Sequence, residues 1–85
     1  HFVFVDTNSG HVTASLESAS AAGSGRVLIF KDVKGYADTN HIVIKPNGSD
    51  KIEGVNDDTK IKVASGSLSL VCDGESQYFI FGERD

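Results

Sequence analysis

Ser67-Leu68-Ser69-Leu70-Val71-Cys72-Asp73-Gly74-Glu75-Ser76-Gln77-Tyr78-Phe79-Ile80-Phe81 is the stretch that decides the class of this fold. On an extended backbone Leu68, Leu70 and Cys72 share one face, with Ser67, Ser69 and Val71 on the other. Asp73-Gly74 then offers the residues a tight turn needs, and Tyr78-Phe79-Ile80-Phe81 runs back, so the stretch predicts a β-hairpin. Upstream, Lys60-Ile61-Lys62-Val63 alternates in the same way, as do Val12, Ala14 and Leu16 against Thr13, Ser15 and Glu17. Phe2–Val5, Arg26–Lys31 and His41–Lys45 are apolar runs closed by turn residues, Asp6–Gly10 after the first and Pro46-Asn47-Gly48 after the third. A short strand is expected around Lys51–Glu53. The Ser/Ala stretch 18–25 reads as a flexible loop, with a helical turn through Ala19–Ala22 as the alternative.

Composition agrees with strands. Nine Val, six Ile, five Phe and two Tyr stand against four Leu, no Met and no Trp, a β-branched and aromatic bias. Gly, Ser, Asn and Asp make up over a third of the chain, enough for many short connections. The expectation is all-β: one small antiparallel meander or sandwich-like domain over residues 1–85, with seven or eight short strands. A net charge of −4 and dispersed Lys argue against nucleic-acid binding, and no apolar run suits a membrane span. The chain opens on His1 rather than Met, which suggests a piece of a longer protein.

Eighty-five residues make a thin core that small domains often staple. Cys72 is the only cysteine, and with His1, His11 and His41 scattered along the chain a zinc site is not expected. Yet segments 2–5, 27–30, 42–44 and 78–81 are apolar on both faces, which one small two-layer protein cannot hide. Either the sheet wraps around itself, for which 85 residues leave little material, or another subunit covers the second faces, with Phe2, Phe4, Ile29, Ile42, Ile44, Phe79 and Phe81 as the candidates for that interface.

Catalytic and ligand-binding patterns are sparse. No Gly-x-Ser-x-Gly elbow occurs, and Cys72 at an inward position reads as a small hydrophobe. Asp57-Asp58 is a carboxylate pair, but neighbours on a turn point apart, so a solvated turn is expected. Asp6, Asn8 and Glu17 imitate part of a calcium loop, while His11 stands where the sharp bend needs Gly. Asn47-Gly48-Ser49 fits a glycosylation sequon, but Asn-Gly is also a hairpin turn, and without evidence of secretion the turn is the expected reading. The isolated histidines are expected at surface or edge positions. Tyr36, with Asp38 and Asn40 nearby, could contact a glycan or plug the core from its loop. Tyr78 is expected in the core or at an interface. No catalytic residue, cofactor or metal is assigned.

From Val27 onward the ordered pieces Lys31-Asp32-Val33-x-Gly35-x-Ala37, Asn40-x-Ile42-x-Ile44, Gly48-x-Asp50-x-Ile52-x-Gly54, Gly66-Ser67-Leu68 and Leu70-x-Cys72-Asp73-Gly74 form a familiar series. With Val5-Asp6-Thr7 and Val12-Thr13-Ala14-Ser15-Leu16 before them, they resemble a small β domain of bacteriophage tail fibres and tailspikes. That family often carries a Trp in its last strand, where this chain has Tyr78-Phe79. The resemblance implies an interlocked homotrimer in the virion tail, assembled in the host cytoplasm. It also implies contact with other tail or fibre components and with bacterial surface polysaccharide, and a structural, attachment role without catalysis. The competing expectation is a monomeric carbohydrate-binding β-sandwich; a hydrolase is the third.

Overall fold

The computed structural model describes residues 2–84; His1, counted above among possible metal ligands, lies outside them. Among the described residues the order is β1 (Phe2–Val5), β2 (Val12–Ser15), the helical turn α1 (Ala19–Ala22), β3 (Val27–Asp32), β4 (Ile42–Lys45), β5 (Lys51–Ile52), β6 (Thr59–Ile61), β7 (Ser67–Cys72) and β8 (Gln77–Arg84). The described residues are all-β but for that one turn, with eight strands, in keeping with the seven or eight that the sequence predicts. The expected loop at 18–25 instead contains one helical turn, because Ser18 caps it: its Oγ accepts from the Ala21 amide, and Gly23 ends it at φ 93°.

Two sheets form, ordered β1-β3-β7-β8-β5 and β2-β4-β6. Up to β7, each successive strand lies in the sheet opposite to the one before it. A chain that crosses layers at every step brings strand n beside strand n+2, and β1–β3 and β2–β4 are parallel for that reason. The β5–β8 pairing is parallel too, whereas β3–β7, β4–β6 and the β7–β8 hairpin are antiparallel. Of the expected antiparallel meander or sandwich-like domain, the structure is the sandwich, with two mixed sheets in place of purely antiparallel ones. Only the final hairpin joins consecutive strands.

Between the sheets lies one core. The five-stranded sheet supplies Val5, Phe30, Ile52, Leu68, Leu70, Cys72 and Tyr78, the three-stranded sheet Ile42, Ile44 and Ile61, and the connections Leu16, Ala19 and Ala37. Each fully buried Ile or Leu contributes about 1.5–3 kcal/mol. Ile42 and Ile44 are entirely inaccessible, which corrects their place among interface candidates. Segment 42–44 is one-sided, since Val43 alone faces outward and only half buried. Cys72 behaves as expected: it is buried, its thiol bonded to the Ala19 carbonyl at 3.2 Å.

Candidate functional site

The site begins with what the core leaves outside. Strand register assigns the outer face of the five-stranded sheet row by row. Val27, Val71 and Phe79 form one row, and Phe2, Ile29, Ser69 and Gly82 the next. Phe4, Lys31, Ser67 and Arg84 form a third. The ladder slips by one residue between Ser69 and Leu70, where β8 carries the extra residue Phe81 beside Gly82. Such a bulge puts two neighbouring residues opposite one partner.

Four phenylalanines stand out of this face, with Phe2 62%, Phe4 68%, Phe79 41% and Phe81 57% exposed. Phe2 and Phe4 stack with ring centroids 6.1 Å apart on β1. Phe79 and Phe81 belong to β8, with β3 and β7 lying between it and β1. Between the two ridges run the half-buried Ile29, Ser67, Ser69 and Val71, so the face is a trough with aromatic walls and a lower floor of serine and aliphatic side chains. Gly82 deepens it. A methyl group added there would meet only the Ser69 side chain, at 3.6 Å, so the subunit's own packing does not demand glycine. Lys31 closes one end by donating from Nζ to the Ser65 carbonyl. Of the seven interface candidates, the structure brings Phe2, Phe4, Ile29, Phe79 and Phe81 to one face and sends Ile42 and Ile44 inside.

The loop expected to offer Tyr36, Asp38 and Asn40 is organised by a residue that sequence reading treats only as a strand end. Asp32 is buried, and its Oδ1 accepts from Thr7 Oγ1 at 2.7 Å, the Gly35 amide at 3.0 Å and the Lys34 amide at 3.3 Å. Its Oδ2 accepts from the amides of Ala37 at 2.9 Å and Ser65 at 3.0 Å. Burial pushes this carboxyl up, but the bonds from Thr7, Ala37, Ser65 and Gly35 outweigh it and hold the group at about 2. Thr7, equally buried, in turn accepts from the Tyr36 amide at 3.1 Å. Asn40 donates from its side-chain amide to the Thr7 carbonyl at 2.6 Å, which ties it to the same loop. Tyr36 and Asp38 stay exposed. The core-plug reading of Tyr36 is thereby corrected. Thr7 and Asp32 lie 25 residues apart, and no local pattern announces their bond.

Tyr78 settles into the core, its hydroxyl donating to the Glu17 carbonyl at 3.0 Å. Burial, with the nearby Cys72 and Glu17, pushes its phenol up to about 12. Asp73 makes the hairpin turn by accepting from the amides of Glu75, Ser76 and Gln77, and those bonds lower its carboxyl. His11 and His41 meet at the starts of β2 and β4, with ring centroids 5.0 Å apart and His11 Nδ1 accepting from the His41 amide. Among the described residues no three His, Cys, Asp or Glu side chains gather as a metal cluster. No family model matches the chain, and no curated protein matches it.

Proposed function

We propose that this chain is a non-catalytic assembly module that associates with copies of itself through the aromatic trough, in the manner of the phage tail fibre and tailspike domains it resembles. The observation that carries the reading is the apolar outer face of the five-stranded sheet. The exposed parts of its four rings amount to about 450 Å², taking roughly 200 Å² per ring, in the middle of the range of the largest apolar patch on a typical monomer, a patch that is often functional. Val27, Ile29 and Val71 extend it toward the roughly 800 Å² per partner of a standard interface. A ridge of Phe79 and Phe81 on one copy set over Ser69 and Gly82 of the next makes a head-to-tail contact, which on repetition closes into a ring when the rotation between copies permits. The number three, the virion tail and the attachment role come from the resemblance.

Sedimentation velocity at micromolar concentration tests this reading. The expected species has three times the 9.0 kDa mass of one chain. Gly82→Leu fills the trough floor without touching the core and should give folded monomers, as should Phe81→Ser. A parent chain that stays monomeric, or a Gly82→Leu variant that associates as the parent does, refutes the proposal.

A further inference from the structure

The connection between β4 and β5 holds two groups placed for a reaction with each other. Asn47-Gly48 is the only Asn-Gly step in the chain, and Asn47, Gly48 and Ser49 are all exposed. The Asp50 amide donates to the Asn47 carbonyl at 2.8 Å, which closes a tight turn. Gly48 takes the second position of that turn at φ 54°, a conformation glycine adopts without a steric penalty. Asn56 braces the turn from outside it, its side-chain amide donating to the carbonyls of Gly48 at 3.0 Å and Asp50 at 2.5 Å.

These bonds engage carbonyls and leave the reactive atoms alone. Among the described residues, neither the Asn47 side chain nor the Gly48 amide makes a hydrogen bond. A Cβ built on Gly48 would meet nothing within 4 Å beyond its chain neighbours, so solvent reaches both groups. We propose that Asn47 is a self-modification site whose co-reactant is water. A solvent base takes the Gly48 amide proton, the nitrogen attacks Cγ of Asn47, and a five-membered imide closes as the side-chain nitrogen leaves as ammonia. The two groups belong to adjoining residues, so no encounter is needed, and glycine has no Cβ to crowd the attacking nitrogen. Water then opens the ring. Breaking the bond from nitrogen to Cγ gives Asp; breaking the bond to the main-chain carbonyl carbon gives isoaspartate, whose backbone runs through Cβ and Cγ and is one atom longer. Both products carry a new carboxylate, and the longer one also displaces the Gly48 carbonyl from Asn56. The other asparagines are less suited. Asn40 and Asn56 have their side-chain amides bonded, and Asn8 is followed by Ser9, whose side chain hinders the attack.

The site does not depend on the self-association proposed above, because its chemistry lies within one exposed turn. Incubating the whole chain at mildly alkaline pH and body temperature, either folded or unfolded in urea, and mapping its peptides by mass tests it. The peptide containing Asn47 should gain about 1 Da as NH2 gives way to OH, and labelling with an isoaspartate methyltransferase should mark the same peptide. If only unfolded chains reacted, folding would slow the gain by at least about 10³, the usual ratio of folded to unfolded molecules. The folded rate is expected within about a hundredfold of the unfolded rate. Asn47→Gln, at an exposed position and with a side chain too long to close the five-membered ring, should abolish the gain and keep the fold. Slowing by more than about a hundredfold on folding overturns the proposal. So does earlier modification at Asn8, Asn40 or Asn56, or an unchanged gain in the Asn47→Gln variant.

Discussion

Replacing Asp32 by Asn removes one negative charge and changes the size of the side chain hardly at all, so it isolates the hydrogen bonding of the buried carboxylate. Five donors converge on the two oxygens. An Asn amide keeps one acceptor oxygen and puts an NH2 group where the other stood. If the NH2 replaces Oδ2, the amides of Ala37 and Ser65 face another donor; if it replaces Oδ1, those of Lys34 and Gly35 do. Two orphaned donors at about 1–3 kcal/mol each give a loss of roughly 4 kcal/mol. A domain of this length holds about 4–13 kcal/mol in total, so the loss is a large share of it.

Urea unfolding at neutral pH and fixed protein concentration reads this as a lower midpoint with an unchanged slope. A second signature separates charge from shape. The Asp32 carboxyl is lowered from 3.8 to about 2, so its stabilisation is complete above pH 4 and is lost as the pH falls toward 2. The loss over that window is about 2 kcal/mol. The Asn variant should lack that part of the acid dependence. A variant within about 1 kcal/mol of the parent, or one whose acid dependence matches it, refutes the account of Asp32 as the organiser of this loop.

Gly74 sits at φ 81°, and an added Cβ would lie 2.6 Å from the Ser24 backbone nitrogen; Gly74→Ala should cost at least about 2 kcal/mol and lower the melting temperature by about 10 °C. A shift of only a degree or two would mean that the turn relaxes freely. Raising the pH from 10 to 12 should destabilise the parent, because the unfolded phenol of Tyr78 ionises before the folded one, raised to about 12. Tyr78→Phe should flatten that alkaline limb while losing about 1 kcal/mol with the bond to Glu17, and an unchanged limb would sink the assignment. Ile44→Ala should cost about 3 kcal/mol, as a core truncation does. Phe4→Ser should leave the stability of the isolated subunit within about 0.5 kcal/mol; equal losses at the two positions would undo the division between core and outer face.

The hairpin, the number of strands and the inward set Leu68, Leu70 and Cys72 are legible from alternation, because a strand's two faces differ in every second residue. So are the outward phenylalanines, whose excess over what one sheet can hide is visible in the chain. Pairing partners are less accessible. The parallel β1–β3 and β2–β4 contacts depend on crossings between layers, and a crossing leaves no turn signature of the kind Asp73-Gly74 provides. Ile42 and Ile44 were open to misplacement because Val43 between them is apolar as well, so the run looks two-sided while its backbone simply alternates. Asp32 reads as punctuation, and its actual partners come from the sequence segments around residues 7, 35 and 65.

The alternation of the chain between its two layers also governs the order in which this protein can come into being. Only β7 and β8 can zip together from neighbouring sequence; every other pairing waits for a strand at least two further along. As the chain leaves the ribosome, β2, β4 and β6 can meet, but Ile42, Ile44 and Ile61 then have almost nothing to lie against. Leu68, Leu70, Cys72 and Tyr78 arrive last. Closing such distant contacts is slow, and until the final hairpin inserts between β3 and β5 the half-built layers expose surface prone to aggregation. A chain cut short before Ser67 lacks the centre of its larger sheet, so the aromatic trough takes its finished form only once β7 and β8 are in place.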